Sequence, residues 1–195
     1  FLVCAAVRDV SGLQRAMLRA RFEERQRITA ELGRLLLTQD DPGELLAVAA
    51  RFVSEELGTP LVTVYEVLPG SGDLIRRAEH GWRDRRVGER LHSDPPTLAQ
   101  RAVAERAPLV SASIVDDPRL PTYARAIEHG VVGGVAVPIM GKRDAVGAVV
   151  AFDTTHRTHG ETDIGFLQSV ANLAGMAMEQ HRVRSMISQS HSLEA

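Results

Sequence analysis

Residues 128–139 read Glu-His-Gly-Val-Val-Gly-Gly-Val-Ala-Val-Pro-Ile, and residues 146–152 read Val-Gly-Ala-Val-Val-Ala-Phe. Both runs are apolar and rich in valine, whose branched side chain favours β-strands. The residues between them, Gly141–Asp144, have the composition of a turn. The pattern therefore predicts a hairpin whose strands are Val131–Met140 and Ala145–Phe152.

Helices and further strands are predicted on both sides of this hairpin. Asp41 and Pro42 begin a helix, because Asp caps free amides and Pro suits the first turn, and Gly58 ends it. A second hairpin follows, with strands at Leu61–Leu68 and Leu74–Glu79. The other predicted elements are helices at Thr97–Arg106 and Tyr123–Glu128, a strand at Leu109–Ser111, and a helix from Glu161 to about Ser188. This order predicts an α+β fold, with an antiparallel sheet of about five to six strands and helices on both faces.

A long helix is also predicted at residues 13–37, which contain no proline and many strong helix formers. Its apolar stripe consists of Leu18, Phe22, Ile28, Leu32, Leu35 and Leu36. Arg21 and Arg25 interrupt the stripe, which leaves two interpretations. The charges form a solvated face, or the helix pairs with a second copy in a weak parallel coiled coil. Ahead of this helix, Phe1–Val7 is predicted to be a strand.

Composition excludes several kinds of protein. The chain has 195 residues, and 23 Lys and Arg against 25 Asp and Glu give a formal charge of -2. Such a balance provides no basic field for nucleic acid. Cys4 is the only cysteine, which excludes an internal disulfide or a thiolate zinc cluster and favours a cytoplasmic location. No apolar run is long enough to predict a membrane-spanning helix.

Four stretches, taken together, resemble the C-terminal half of a GAF domain: Asp116–Arg119, residues 128–139, residues 146–152 and Thr162–Asn172. The helix from Pro42 and the hairpin from Leu61 resemble the first half of that domain. Separately, Phe1–Gln14 resembles the last strand and exit of a PAS domain. The expected order is the end of a PAS-like domain at 1–12, a helical linker at 13–39, a GAF domain at 40–182 and a helical extension at 183–195.

The resemblance implies a sensory or regulatory module of a multidomain bacterial signalling protein. Such a module holds a small ligand on one face of its sheet, and it dimerises through terminal helices that pass the signal to a covalently linked output domain. The alternative is a GAF domain that has lost its ligand and serves as a dimerising spacer. No set of acid, base, nucleophile or metal ligands stands out in the sequence, so we expect no enzymatic activity.

Candidate ligand-binding residues are Trp82, His92, Tyr123 and His129. Trp82 and Tyr123 fall in the irregular middle of the chain, where aromatic rings can line an apolar pocket or close the core. His92 and His129 flank the same region, and a neutral imidazole there, or at His80, can ligate haem iron. For His129, capping of a helix end before Gly130 is the competing interpretation.

Other members of the family bind known ligands, and the sequence can be checked for the residues that those ligands require. A covalent bilin and the reaction of the GAF-type methionine sulfoxide reductases both require cysteines inside the module, and Cys4 lies outside it. The Asn-Lys-Phe-Asp-Glu set of cyclic-nucleotide-binding members is not found, which removes that marker without excluding the ligand. The cofactor therefore stays unknown from the sequence.

Two pairs of polar residues suggest other chemistry. Glu79 and Glu89 are candidates for a pair of carboxylates that act in general acid–base catalysis. His156 and His159 have the spacing of a metal-binding pair. No third ligand is evident near the two histidines, so the sequence favours a solvated loop.

Overall fold

The computed structural model of the chain describes residues 2–38, 41–121 and 124–192. In the first and last helices, side chains are described for residues 12, 15–17, 19–20 and 22–35, and for residues 161–180 and 182. Five helices occur in these ranges: α1 (Leu2–Thr38), α2 (Pro42–Leu57), α3 (Leu98–Glu105), α4 (Ala124–Glu128) and α5 (Glu161–Ser192). None of the described helices is both long and apolar enough to cross a membrane.

Six strands form one antiparallel sheet in the order β3-β2-β1-β6-β5-β4. They are β1 (Leu61–Val67), β2 (Leu74–His80), β3 (Arg90–Leu91), β4 (Leu109–Ser111), β5 (Gly133–Met140) and β6 (Ala145–Asp153). The two hairpins predicted from the sequence are β1–β2 and β5–β6, and they meet where β1 pairs with β6. This sheet with its helices confirms the predicted α+β class.

Side chains on each strand alternate between two hydrophobic cores. On β1, Val62 and Val64 point to the core formed with α1, α2 and α5. Leu61 and Tyr65 point to the opposite core, which contains buried residues of α3 and α4. We call these two sides of the sheet the helix face and the cleft face. Because both faces are covered, the central strands are buried along nearly their whole length.

Local capping sets the ends of the shorter helices. The Asp41 side chain accepts a hydrogen bond from the Gly43 amide at the start of α2, and Gly58 ends that helix with φ of 62°. At α3, Thr97 and Gln100 form a capping box, in which each side chain bonds the other residue's backbone amide. Each cap satisfies amides that a helix terminus would otherwise leave without partners.

The N-terminal segment differs from two expectations. The strand predicted at Phe1–Val7 is wrong, because α1 is already helical from Leu2. That apolar run pairs with no strand in the described part of the chain, and its alanines suit a helix well. In addition, Leu32 is buried in the core of the helix face, where it is 1 % exposed, so it is unavailable for a seam between two copies. Phe22, by contrast, is exposed.

One short strand, β3, was not predicted from the sequence. Strand β3 has only two residues, Arg90 and Leu91, which pair with Ile75 and Leu74 of β2. Two residues are too few for a periodic pattern to develop. This strand extends the sheet at the edge where the cleft face opens.

Replacing Leu32 with alanine tests whether α1 belongs to the core. We expect Leu32→Ala to lower the free energy of unfolding by about 2–5 kcal/mol, because it leaves a cavity between α1 and the rest of the helix face. Urea unfolding followed by circular dichroism measures the loss. Phe22→Ala, on the exposed side of the same helix, should change it by less than about 0.5 kcal/mol. Equal effects of the two substitutions would mean that α1 does not pack as described.

Candidate functional site

A cleft between the sheet and the segments around α3 and α4 lies on the cleft face. Its lining combines three aromatic rings with two arginines, and consists of Tyr65, Arg76, Trp82, Leu91, Thr97, Ala99, Arg125 and Phe152. The space open to a water-sized sphere is about 10 Å³, which is about the room that one water molecule needs. In this conformation the side chains themselves fill most of the cleft.

Trp82 is fixed at one wall of the cleft by its neighbours. Gly81, with φ of 79°, turns the chain directly before it, and a Cβ at Gly81 would lie 1.8 Å from the carbonyl oxygen of Pro60, so only glycine fits. The indole Nε1 donates to the carbonyl oxygen of Val62 at 3.3 Å. The indole packs edge-on against the ring of Phe152, with centroids 5.5 Å apart. This wall is therefore rigidly tied to β1 and β6.

Arg125 of α4 lies across the indole, with its Cζ atom 4.0 Å from the ring centroid. Its Nη1 donates to Oε1 of Glu79 at 2.7 Å, and its Nε donates to Oδ1 of Asp84 at 3.2 Å. Its Nη2 donates to the carbonyl oxygen of Asp84 at 2.6 Å. Each of the three guanidinium nitrogens thus donates a hydrogen bond, and together with the cation–π contact these bonds hold α4 against Trp82.

The two carboxylates that hold Arg125 differ in exposure. Glu79 has a side chain only 1 % exposed, and its Oε2 also accepts from the amide of Arg86 at 2.7 Å. Asp84 is 37 % exposed. Partial burial opposes the ionisation of Asp84, but hydrogen bonds from Arg86 and Arg125 outweigh it and lower its pKa to about 2. Asp84 is therefore ionised beside the arginine at neutral pH, and Glu79 is held at hydrogen-bonding distance on its other side.

A β-bulge brings Arg76 and Glu79 to the same side of the sheet. In the β1–β2 pair, Tyr65 is opposite Arg76 and Val64 is opposite Ala78, so Arg77 has no partner of its own. The extra residue shifts the alternation of side chains between the two faces of the sheet, so both Arg76 and Glu79 point to the cleft face. Nε of Arg76 lies 3.5 Å from Oε1 of Glu79. Without the bulge, residues three apart on a strand would point to opposite faces.

Tyr65 lies under Arg76, with the Cζ atom 5.8 Å from the ring centroid. Burial raises the pKa of the Tyr65 phenol, which keeps it neutral. The floor of the cleft is therefore an uncharged aromatic ring below a buried guanidinium.

Of the four predicted ligand-binding residues, the structure brings Trp82 and His129 together. Their ring centroids lie 4.9 Å apart in an edge-on arrangement. His92 is elsewhere: its side chain is 84 % exposed, and its Nδ1 lies 3.4 Å from Oδ1 of Asp73. Tyr123 lies outside the described residues.

Both ring nitrogens of His129 already have partners. Its Nδ1 lies 2.9 Å from the carbonyl oxygen of Arg125, which is the helix-capping contact considered from the sequence. Its Nε2 accepts from the amide of Arg83 at 3.2 Å and lies 3.1 Å from Oδ1 of Asp84. Iron ligation by this imidazole would require breaking one of these contacts. Across the described ranges, no three His, Cys, Asp or Glu side chains form a group able to hold a metal ion.

Sequence reasoning missed the charged residues of the cleft: Arg76, Arg125 and Asp84. One signal was available at Arg76, which lies two residues after the apolar Leu74 in a strand and thus on its inward side. The carboxylate-pair hypothesis named Glu79 and Glu89, and both carboxylates lie within 4 Å of the Arg76 guanidinium. Glu79 pairs with two arginines, whereas Glu89 is 57 % exposed.

The fold with its cleft matches a known domain family. The family model of the GAF domain matches residues 14–179, which is most of the chain. The chain belongs to the GAF domain family. The resemblance proposed from the sequence is confirmed for this domain, and Cys4 falls outside the matched residues.

One relative of this GAF domain is a regulatory protein. It is 27 % identical over 139 residues to the Nif-specific regulatory protein of Azorhizobium caulinodans. The match covers 66 % of this chain and 23 % of the relative, so this chain spans about a quarter of that protein's length.

Solved structures share the fold at low identity. The GAF domain of a phosphoenolpyruvate-protein phosphotransferase from Coxiella burnetii superposes with a TM-score of 0.75 and 15 % identity, covering 83 % of this chain and 96 % of that one. The free methionine-R-sulfoxide reductase of Neisseria meningitidis, solved with its substrate, gives a TM-score of 0.69 and 18 % identity, covering 82 % and 91 %. At these identities the likeness concerns the fold alone.

A second polar cluster of the GAF domain lies where β6 ends. The solvated loop predicted for His156 and His159 is confirmed for His156, which is exposed. It is wrong about the solvation of His159, whose side chain is 1 % exposed and whose Nε2 lies 2.6 Å from Oδ2 of Asp153. Its Nδ1 lies 3.8 Å from Oδ2 of Asp163 at the start of α5. Arg25 of α1 donates to Oδ1 of Asp163 at 2.9 Å and lies 3.4 Å from Oε2 of Glu56 in α2. We call Arg25, Glu56, Asp153, His159 and Asp163 the Arg25 cluster.

Substitution of Asp84 tests the ion pairs that hold α4 over the cleft. Its pKa in the folded protein, about 2, is below the ordinary value of 3.8, so the ionised group stabilises the fold above pH 3.8. That stabilisation is lost as the pH falls from about 4 to about 2. We expect Asp84→Asn to be less stable than the wild type at pH 7, and the difference to shrink over this window. Unfolding free energies measured from pH 7 to pH 2 check this, and a difference that stays constant throughout would contradict it.

Proposed function

We propose that this GAF domain is a non-catalytic sensory module of a multidomain bacterial signalling protein. In this proposal a small ligand binds in the cleft, and its occupancy changes how the terminal helices pack. The observation that carries the proposal is the buried set of charges in the cleft. Buried ion pairs add little net stability and are often replaceable by apolar residues, so a cleft built from them suggests a binding role.

A continuous chain of contacts supports the relay from the cleft to α1. Trp82 packs on Phe152, and the next residue along β6 is Asp153. Asp153 contacts His159, and His159 lies near Asp163, which accepts from Arg25. A shift of the cleft wall would therefore reach the helix that precedes the domain through packed rings and paired charges, which are the usual carriers of such coupling.

Further parts of the proposal extend beyond this chain. We propose that the domain dimerises through α1 and α5, that a covalently linked output domain receives the signal, and that the protein is cytoplasmic. The exposed side chains Met17 and Phe22 on α1, and Met176 on α5, are suitable for contact with a second copy. The regulatory relative supports the signalling role. The PAS-like segment at residues 1–12 stays a prediction from the sequence.

A second function is favoured by the small volume of the cleft. A space of about 10 Å³ holds no metabolite, as expected for a GAF domain that serves only as a dimerising spacer. Under the sensory proposal, the segment around α4 must move outward for a ligand to enter. Helix α4 has only five residues, so this motion is local, but it must break the hydrogen bonds of Arg125 and the contacts of His129.

Native mass spectrometry of freshly purified protein, with an absorbance spectrum, tests the sensory proposal. We expect a non-covalent mass bound to the protein or, if that ligand is lost, a metabolite that raises the melting temperature in a screen. A ligand at 100 times its Kd stabilises by about 2.7 kcal/mol, or roughly 5–10 °C for a domain of this size. Bare protein that no metabolite stabilises would contradict the proposal and support the spacer.

A matched pair of substitutions locates that ligand. Ala99 is buried in the lining, and Ala104 is exposed on the same helix. Ala99→Leu should abolish ligand binding, whereas Ala104→Leu should leave it unchanged. Equal binding by both variants would place the ligand outside the cleft.

A further inference from the structure

We infer that the ligand of the cleft is a small anion, a carboxylate or a phosphate, held by the guanidinium of Arg76. This inference rests on the proposed function, since it concerns the ligand of the same cleft. The inference depends on Arg76, a buried cation that has too few close hydrogen-bond acceptors in the protein.

The charge of Arg76 is buried, and the protein does not balance it with a close, hydrogen-bonded anion. Its side chain is 9 % exposed, and its Nε atom has no hydrogen-bond partner. The two nearest carboxylates are Glu79, 3.5 Å from Nε, and Glu89, 3.8 Å from Nη1. Glu89 is 57 % exposed and also lies 3.9 Å from Arg86. A buried guanidinium normally requires close hydrogen-bonded anions, and neither contact provides one.

Among the charged side chains at the cleft that are at least nine-tenths buried, cations outnumber anions. Arg76 and Arg125 are both in the lining and at least nine-tenths buried, whereas Glu79 is the carboxylate of this cluster that is buried to the same degree. Arg125 donates to Oε1 of Glu79, to Oδ1 of Asp84 and to the carbonyl oxygen of Asp84, so each of its three guanidinium nitrogens has a partner. Arg76 is therefore the cation whose hydrogen-bonding capacity remains for a ligand.

Other features of the lining suit an anion at this position. Thr97 and Ala99 come from the first turn of α3, whose N-terminal end carries the positive pole of the helix dipole. Tyr65, below Arg76, is neutral and has a flat apolar surface for the carbon skeleton of a small acid. A guanidinium pairs with carboxylate and phosphate through the same two-pronged geometry, so both chemistries fit.

Titration with inorganic phosphate and with succinate tests the inference and separates the two chemistries. Trp82 is the only tryptophan of the chain and lines the cleft, so its fluorescence reports binding there. The titrations are run at pH 7 and constant ionic strength, with sodium chloride as the reference salt. We expect a saturable change with at least one of the two anions, confirmed by calorimetry, and none with chloride.

Substitution of Arg76 provides the decisive comparison. Arg76→Gln should weaken anion binding about tenfold to a hundredfold, since hydrogen bonds to a charged group are worth about 1.5–3 kcal/mol. If the glutamine variant folds poorly, Arg76→Met replaces it, because methionine keeps a long side chain without the charge. Its anion affinity should fall by a similar factor. The matched control is Arg77→Gln, because Arg77 pairs with Glu66 and is absent from the lining. Its anion affinity should equal that of the wild type.

Three results would overturn the inference. They are no binding of either anion, unchanged affinity in both Arg76 variants, or identification of a neutral ligand by native mass spectrometry. The last two leave the sensory proposal standing, because a ligand is still bound. A protein that binds nothing in any of these experiments loses both proposals together.

Discussion

The unpaired position of Arg77 in the β1–β2 ladder determines the chemistry of the cleft. By adding one residue to β2, this bulge turns Arg76 and Glu79 to the same face and leaves Ala78 on the opposite face beside Val64. A buried acid then lies within reach of both Arg76 and Arg125. Arg125 in turn fixes α4 over Trp82. Bulges commonly re-aim side chains next to functional sites, and here one bulge positions the whole buried charge cluster.

Strand β6 connects that cluster to the rest of the domain. It lies between β1 and β5, and its last residues carry Phe152 on the cleft face and Asp153 at the start of the Arg25 cluster. The helices that would transmit a signal, α1 and α5, meet at Arg25 and Asp163. The cleft and the terminal helices are thus joined through β6, which is buried from Gly147 to Asp153. Close-packed interiors of this kind transmit strain.

The sequence predicted much of the fold because most elements have strong local signals. Asp41 and Gly58 bound α2, and the valine-rich runs with a turn between them define the β5–β6 hairpin. The cleft was harder to predict, since Arg76 and Glu79 share a face only through a bulge that no sequence period reveals. Likewise, the apolar stripe of α1 could not distinguish a dimer seam from packing within the domain, and Leu32 packs within it. Trp82 and His129 were singled out because an aromatic ring and an imidazole are conspicuous in an irregular segment; Trp82 lines the cleft, and His129 contacts its ring.

A double-mutant cycle measures most directly the proposed coupling between the cleft and α1. Unfolding free energies are measured by circular dichroism for Trp82→Phe, Arg25→Gln and the double variant. Arg27→Gln replaces Arg25→Gln in a control cycle, because Arg27 pairs only with Glu24 of the same helix among the described ion pairs. The proposed relay predicts a coupling energy of at least about 0.5 kcal/mol in the first cycle and additivity in the control. Additive effects in both cycles would contradict it.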